Sequence, residues 1–123
     1  MFQSPKKVLV LAPHTDDGEF GCGGLMSQLI EQQVEVYSMA FSICEESVPA
    51  GFPQDQLEKE FKQASAILGI KADHVLVRKF PVRRFSEQRQ DILEEMVKVR
   101  NEVRPDWVLM PSSQSIHQDH KVI

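Results

Sequence analysis

Residues Val8 to Ala12 form a continuous apolar run, the pattern of a strand covered on both faces in a parallel sheet. A polar, glycine-rich turn follows, and from Gly24 the pairs Leu25/Leu29 and Met26/Ile30 recur at four-residue spacing, which predicts a helix to about Gln33. Val34 to Phe41 is rich in strand formers and reads as a second strand. Ser42 to Pro53 carries two prolines, a glycine and the acidic pair Glu45 and Glu46, so it reads as a long loop at that strand's C-terminal end. Leu57, Phe61, Ala64 and Leu68 then fall at i, i+4, i+7 and i+11, one stripe of a helix that Gly69 ends. A short strand is predicted over His74 to Val77 and a helix over Ser86 to Glu102. Ser86 is its expected N-cap, and Ile92, Leu93, Met96, Val97 and Val103 are its expected core face. Pro105 ends that helix, and Trp107 to Met110 read as another buried strand. Strands alternating with helices imply right-handed crossovers, hence a Rossmann-like α/β fold with a largely parallel sheet flanked by helices.

Composition narrows the class. The 123 residues are 41% hydrophobic and 26% charged with a formal charge of −4, which fits one globular domain over residues 1–123. Two cysteines, at 22 and 44, are too few for a secreted disulfide framework, so a cytoplasmic location is expected. The apolar start is broken at once by His14, Asp16 and Asp17, so it is neither a signal-peptide core nor a membrane span. Mild acidity with scattered basic residues argues against nucleic acid as a partner. The sequence leaves homo-oligomer formation open. HQDHKVI ends the chain where a helix would start, with no capping glycine, so the domain is expected to be truncated at its C-terminus.

In open sheets of this kind, ligands bind beyond the carboxyl ends of the strands, and two polar clusters lie there. The first, PHTDDGEFGCGG, offers His14 and Asp17 as an imidazole and a carboxylate in one loop, with Asp16 free between them. The second, HQDH, offers His117 and His120, either of which completes a two-histidine, one-carboxylate shell with open positions for water and substrate. Taken alone, His14 and Asp17 read as a polar loop residue and a helix cap, and His117 and Asp119 as a local turn. The pairing of both clusters at strand ends favours a metal. Gly21, Gly23 and Gly24 do not match the spacing of a dinucleotide fingerprint, and the lysine of a phosphate loop is absent. Glu19 reads as a solvated or capping residue whose place beside the site leaves a substrate contact open, and Cys22 as a small buried side chain. Arg83 and Arg84 follow a strand where a guanidinium can reach an anionic group of the substrate, and Arg84 is the expected contact.

The pairing of PHTDDGEFGCGG with IHQDH resembles the LmbE-like, or PIG-L, family of zinc-dependent N-deacetylases. EFKQASAILGI and RPDWVLMPS are also similar to the family's supporting segments. The resemblance implies that His14, Asp17 and His120 hold Zn²⁺, with Fe²⁺ also compatible, and that Asp16 is the general base. It further implies that His117 stabilises the oxyanion and protonates the leaving amine, with Asp119 orienting it and keeping it charged. Zinc would polarise the acyl carbonyl and lower the pKa of a water from roughly 16 to about 7. Thr15 stands where the family usually has proline, and Gly18 where many members have glutamate. Both changes bear on substrate rather than on metal chemistry. The expected activity is hydrolysis of an acetyl group from an N-acetylglucosamine-like conjugate or related N-acyl amine. The alternative is a nucleotide- or sugar-nucleotide-binding Rossmann module without chemistry.

Overall fold

The computed structural model describes residues 3–123; Met1 and Phe2, which open the apolar segment discussed above, lie outside them. Strands β1 (Lys7–Ala12), β2 (Glu35–Ala40), β3 (Val75–Val77) and β4 (Trp107–Leu109) form one sheet in the order β3-β2-β1-β4, and every pairing is parallel. Helices α1 (Asp17–Glu31), α2 (Gln56–Leu68) and α3 (Arg89–Val103) connect them, which is the expected Rossmann-like arrangement.

Alternation along β1 explains the two layers. Val8 and Val10 face Met26 and Leu29 of α1 together with Ile70 just after α2. Leu9 and Leu11 face the other way, onto Ile92, Val99 and Val103 of α3 together with Met39, Phe41 and Phe85. A strand buried on both faces has no polar position to spare, hence the unbroken apolar run.

Several details differ from expectation. Helix α1 starts at Asp17, seven residues before Gly24, so most of the glycine-rich segment is helical. A Cβ on Gly18 would come within 3.3 Å of Val10 Cγ1, and this close seat on β1 outweighs the low helix propensity of glycine. The helix is kinked at Cys22, with φ −149°, and beyond it Leu25 is exposed while Met26 and Leu29 are buried. Before α3, Phe85–Gln88 form a separate 3₁₀ turn; Ser86 lies inside it and does not cap the helix. Leu93 and Val97 are 47% and 40% exposed, because Ile92, Met96, Val99 and Val103 already fill the face toward the sheet. Finally, β4 is not a buried strand: it lies at the sheet edge beside β1, and Trp107 and Val108 are exposed.

Topology decides where a site can form. The chain leaves β1 toward β2 and β3 on one side and returns to β4 on the other, so β1 and β4 flank the point where strand order reverses. The loops after these two strands, about 100 residues apart in sequence, therefore meet at the sheet's carboxyl edge. No described helix is long and apolar enough to cross a membrane.

Candidate metal centre

After β1 the chain turns through Pro13–Asp16 with His14 nearly buried. The first turn of α1 sends the Asp17 carboxylate back over this loop, where Oδ2 accepts the His14 backbone N–H at 2.8 Å and lies 3.2 Å from His14 Nδ1. From the loop after β4, His120 brings Nε2 to 3.1 Å from the same oxygen. Ligands about 2.0–2.1 Å from a tetrahedral ion lie roughly 3.3 Å apart, so the two spacings match edges of one coordination shell. His117 joins the cluster: one nitrogen from each of His14, His117 and His120 lies within 4.8 Å of the others. Three of the chain's four histidines thus converge here, while His74 stacks on Tyr37 at the far edge of the sheet.

The opposite ring nitrogens are occupied, which leaves the inner ones free to ligate. His14 Nε2 lies 2.8 Å from Asp119 Oδ2, and His120 Nδ1 lies 3.0 Å from Ser115 Oγ. Such outer partners fix ring orientation and raise the basicity of the ligating nitrogen. No sequence signal singled out Ser115; a serine in a polar loop has no distinguishing pattern until the loop folds.

Asp119 is fully buried, and its carboxylate also accepts the backbone N–H groups of Arg83 at 2.7 Å and Phe85 at 3.3 Å. Burial raises its pKa, but these hydrogen bonds, led by that of His14, outweigh burial and hold the group below the usual carboxylate range. Burial likewise disfavours charge on His14, yet hydrogen bonds and negative charge from Asp17 and Asp119 carry its pKa above the ordinary 6.5.

The expected pairing of Asp119 with His117 is corrected. The carboxylate serves His14, and only the Asp119 backbone N–H reaches His117, donating to Nδ1 at 3.1 Å. A ring nitrogen that accepts is unprotonated, so His117 is neutral with its proton on Nε2. Burial and then the neighbouring His14 lower its pKa, which fits that form.

A cavity of about 700 Å³ opens beside the cluster, with His14, Asp16 and His117 at one end and Leu57, Phe61 and Ala64 of α2 along a wall. Asp16 is exposed there and makes no side-chain cap hydrogen bond. Arg84 does not line this cavity and lies 3.7 Å from Glu87; its neighbour Arg83 lines it instead. Arg83 has a left-handed backbone (φ 66°), held by the bond from its N–H to Asp119 and by Gln118 Nε2 donating to its carbonyl at 3.0 Å.

The sequence profile of the GlcNAc-PI de-N-acetylase (PIG-L) family matches residues 9–123. The chain belongs to the PIG-L family. Diacetylchitobiose deacetylase of Thermococcus kodakarensis is 30% identical over 125 residues, covering 97% of this chain but 45% of that protein. Among solved structures, N,N'-diacetylchitobiose deacetylase from Pyrococcus horikoshii superposes with a TM-score of 0.84 at 23% identity, over 96% of this chain and 46% of that one. The 4-carboxy-2-hydroxymuconate hydratase GalB from Pseudomonas putida KT2440 gives 0.73 at 22% identity, over 94% and 51%. This PIG-L chain therefore spans about half the length of these relatives, and the fold they share hosts more than one chemistry.

Proposed function

We propose that this chain carries the metal-binding and proton-transfer groups of a metal-dependent N-deacetylase acting on an N-acetylglucosamine-like conjugate or related N-acyl amine. The carrying observation is the convergence of His14 Nδ1, Asp17 Oδ2 and His120 Nε2, with Asp119 and Ser115 holding the opposite ring nitrogens. Two imidazoles and a carboxylate suit Zn²⁺, and Fe²⁺ accepts the same set. When bound, the ion supplies Lewis-acid polarisation of the acyl carbonyl and lowers the pKa of a water from roughly 16 to about 7.

The protein's own groups do the rest. Asp16, unpartnered at the cavity, takes the attacking water's proton and passes it to the departing nitrogen. This replaces His117 as the proton source, because a neutral imidazole has no surplus proton to give. His117 instead points an N–H from Nε2 at the carbonyl oxygen as negative charge builds there. The names of the diacetylchitobiose deacetylases support the substrate class. Asp16, Asp17 and Glu19 at the start of α1 make that helix end a poor cradle for phosphate, which counts against a nucleotide-binding module.

Metal-stripped chain reconstituted with zinc is expected to bind one ion and release acetate and free amine from N,N'-diacetylchitobiose. Acetate release separates hydrolysis from hydration. Failure to bind zinc or iron stoichiometrically would defeat the proposal.

A further inference from the structure

The cavity of about 700 Å³ changes character away from the metal cluster. Leu57, Phe61 and Ala64 line it from α2, Val82 from the loop after β3 and Phe20 from the first turn of α1. Leu57 and Ala64 are half-buried and Phe20 is 87% exposed, so these three have apolar surface left to cover. The polar side chains on this part of the wall are already engaged. Glu60 Oε1 accepts from Gln56 Nε2 at 2.8 Å, Arg83 Nη2 donates to Glu46 at 3.4 Å, and Cys44 Sγ donates to the Ser42 carbonyl at 3.8 Å. Glu19 keeps both carboxylate oxygens shielded from solvent and offers the cavity only its stem, while Ser47 stands exposed to water on the loop after β2. The free donors, Thr15 and His117, belong to the loops that build the metal end. Small-molecule sites typically combine such an apolar wall with a few polar groups that fix orientation.

Proton transfer decides which part of a substrate meets that wall. In the reaction proposed above Asp16 hands its proton to the departing nitrogen, and Asp16 lines this cavity and not the neighbouring one of about 740 Å³ beside Asp17 and His120. The nitrogen and the group it carries therefore lie on the side of α2. We propose that Leu57, Ala64 and Phe20 are specificity-determining residues that receive an apolar aryl or alkyl group on the amine side of the substrate. The inference rests on the deacetylase reading above and adds a selection rule: conjugates with a hydrophobic substituent are preferred over polar ones that present the same acetamide.

The test uses the full zinc-loaded chain with the methyl and phenyl glycosides of N-acetylglucosamine, which differ only in the group on the anomeric oxygen. The phenyl glycoside is expected to show a KM about 10- to 100-fold lower, the gain from burying one ring-sized apolar group. Phe20→Ala and Leu57→Asn are each expected to cut the ratio of the two kcat/KM values by at least about fivefold. Ile67→Ser, also 87% exposed and on α2 but outside the cavity, should keep that ratio. Every variant should still bind one zinc per chain. Because Phe20 is a surface side chain, Phe20→Ala should hold its Tm within about 3 °C of wild type, so a lost preference there reports binding and not misfolding. A ratio near one in wild type, or a ratio that survives both Phe20→Ala and Leu57→Asn, would overturn the proposal while leaving deacetylation intact. So would a gain in KM that follows N-butanoyl in place of N-acetyl on the methyl glycoside and not the phenyl group, because the wall would then meet the acyl side. If the zinc-loaded wild type hydrolyses neither glycoside, the deacetylase reading fails and this one with it.

Discussion

Asp119 connects chemistry and folding through one side chain. Its carboxylate meets His14 Nε2 and the N–H groups of Arg83 and Phe85, so it aims the imidazole proposed as a metal ligand and pins the loop after β3. Asp119→Ala should weaken metal binding about 10- to 100-fold. It should also cost about 2–4 kcal/mol of stability, because two part-buried or buried N–H donors lose their acceptor. Chelator competition and urea denaturation read the two effects separately, and a loss of affinity without a loss of stability would contradict the shared role. Asp16 belongs to a different class, since it is exposed and makes no side-chain cap hydrogen bond. Asp16→Asn is expected to leave one metal per chain and to lower turnover by about 10²- to 10⁴-fold; loss of metal instead would exchange the roles of Asp16 and Asp17. His120→Ala should weaken metal binding more than His117→Ala, because His120 shares the Asp17 oxygen while His117 is held by a backbone N–H.

Secondary structure was legible where burial alone set the pattern. The α2 stripe is regular, and Gly69 ends it at φ 90° as a glycine should. The start of α1 was not legible, because its glycines read locally as a turn and only the close seat of Gly18 on Val10 makes them helical. Leu93 and Val97 misled for a simpler reason: an apolar residue beside a buried one widens the apparent stripe without entering the core. The edge position of β4 was hidden too, since a three-residue strand looks alike in the middle and at the border of a sheet. One ion-free device holds that strand's entry. Asp106 Oδ2 accepts the backbone N–H groups of Lys6 at 2.6 Å and Lys7 at 2.9 Å, where β1 begins. The Lys7 and then the Lys6 hydrogen bond lower the Asp106 pKa from the ordinary 3.8. A depressed carboxyl pKa contributes stability that is present above the unfolded value and lost as pH falls through the folded one. Wild type should therefore exceed Asp106→Asn in urea resistance between about pH 5 and 7, and the gap should close as the pH drops below 3.8. A gap that persists in acid would show that charge is not what Asp106 contributes.

The parallel order β3-β2-β1-β4 brings His14 and His120 into one cluster although they lie at opposite ends of the chain. Sequence reasoning found both motifs because each has a local signature at a strand end. It missed that the second motif's aspartate serves the first motif's histidine, because that contact exists only once β1 and β4 are neighbours. A metal held by both loops would bind the folded chain and not the unfolded one, so it should report on the whole fold. At a free zinc concentration about 100 times Kd, linkage predicts about 2.7 kcal/mol of added stability, or roughly 10 °C in Tm for a domain of this size. His14→Ala and Asp17→Ala should each abolish most of that shift, while His74→Ala, altered away from the cluster at the Tyr37 stack and the Asp73 contact, should retain it. A thermal scan with and without zinc decides the matter: a full zinc shift in His14→Ala would place the ion elsewhere, and no shift in wild type would mean that these loops meet without binding one.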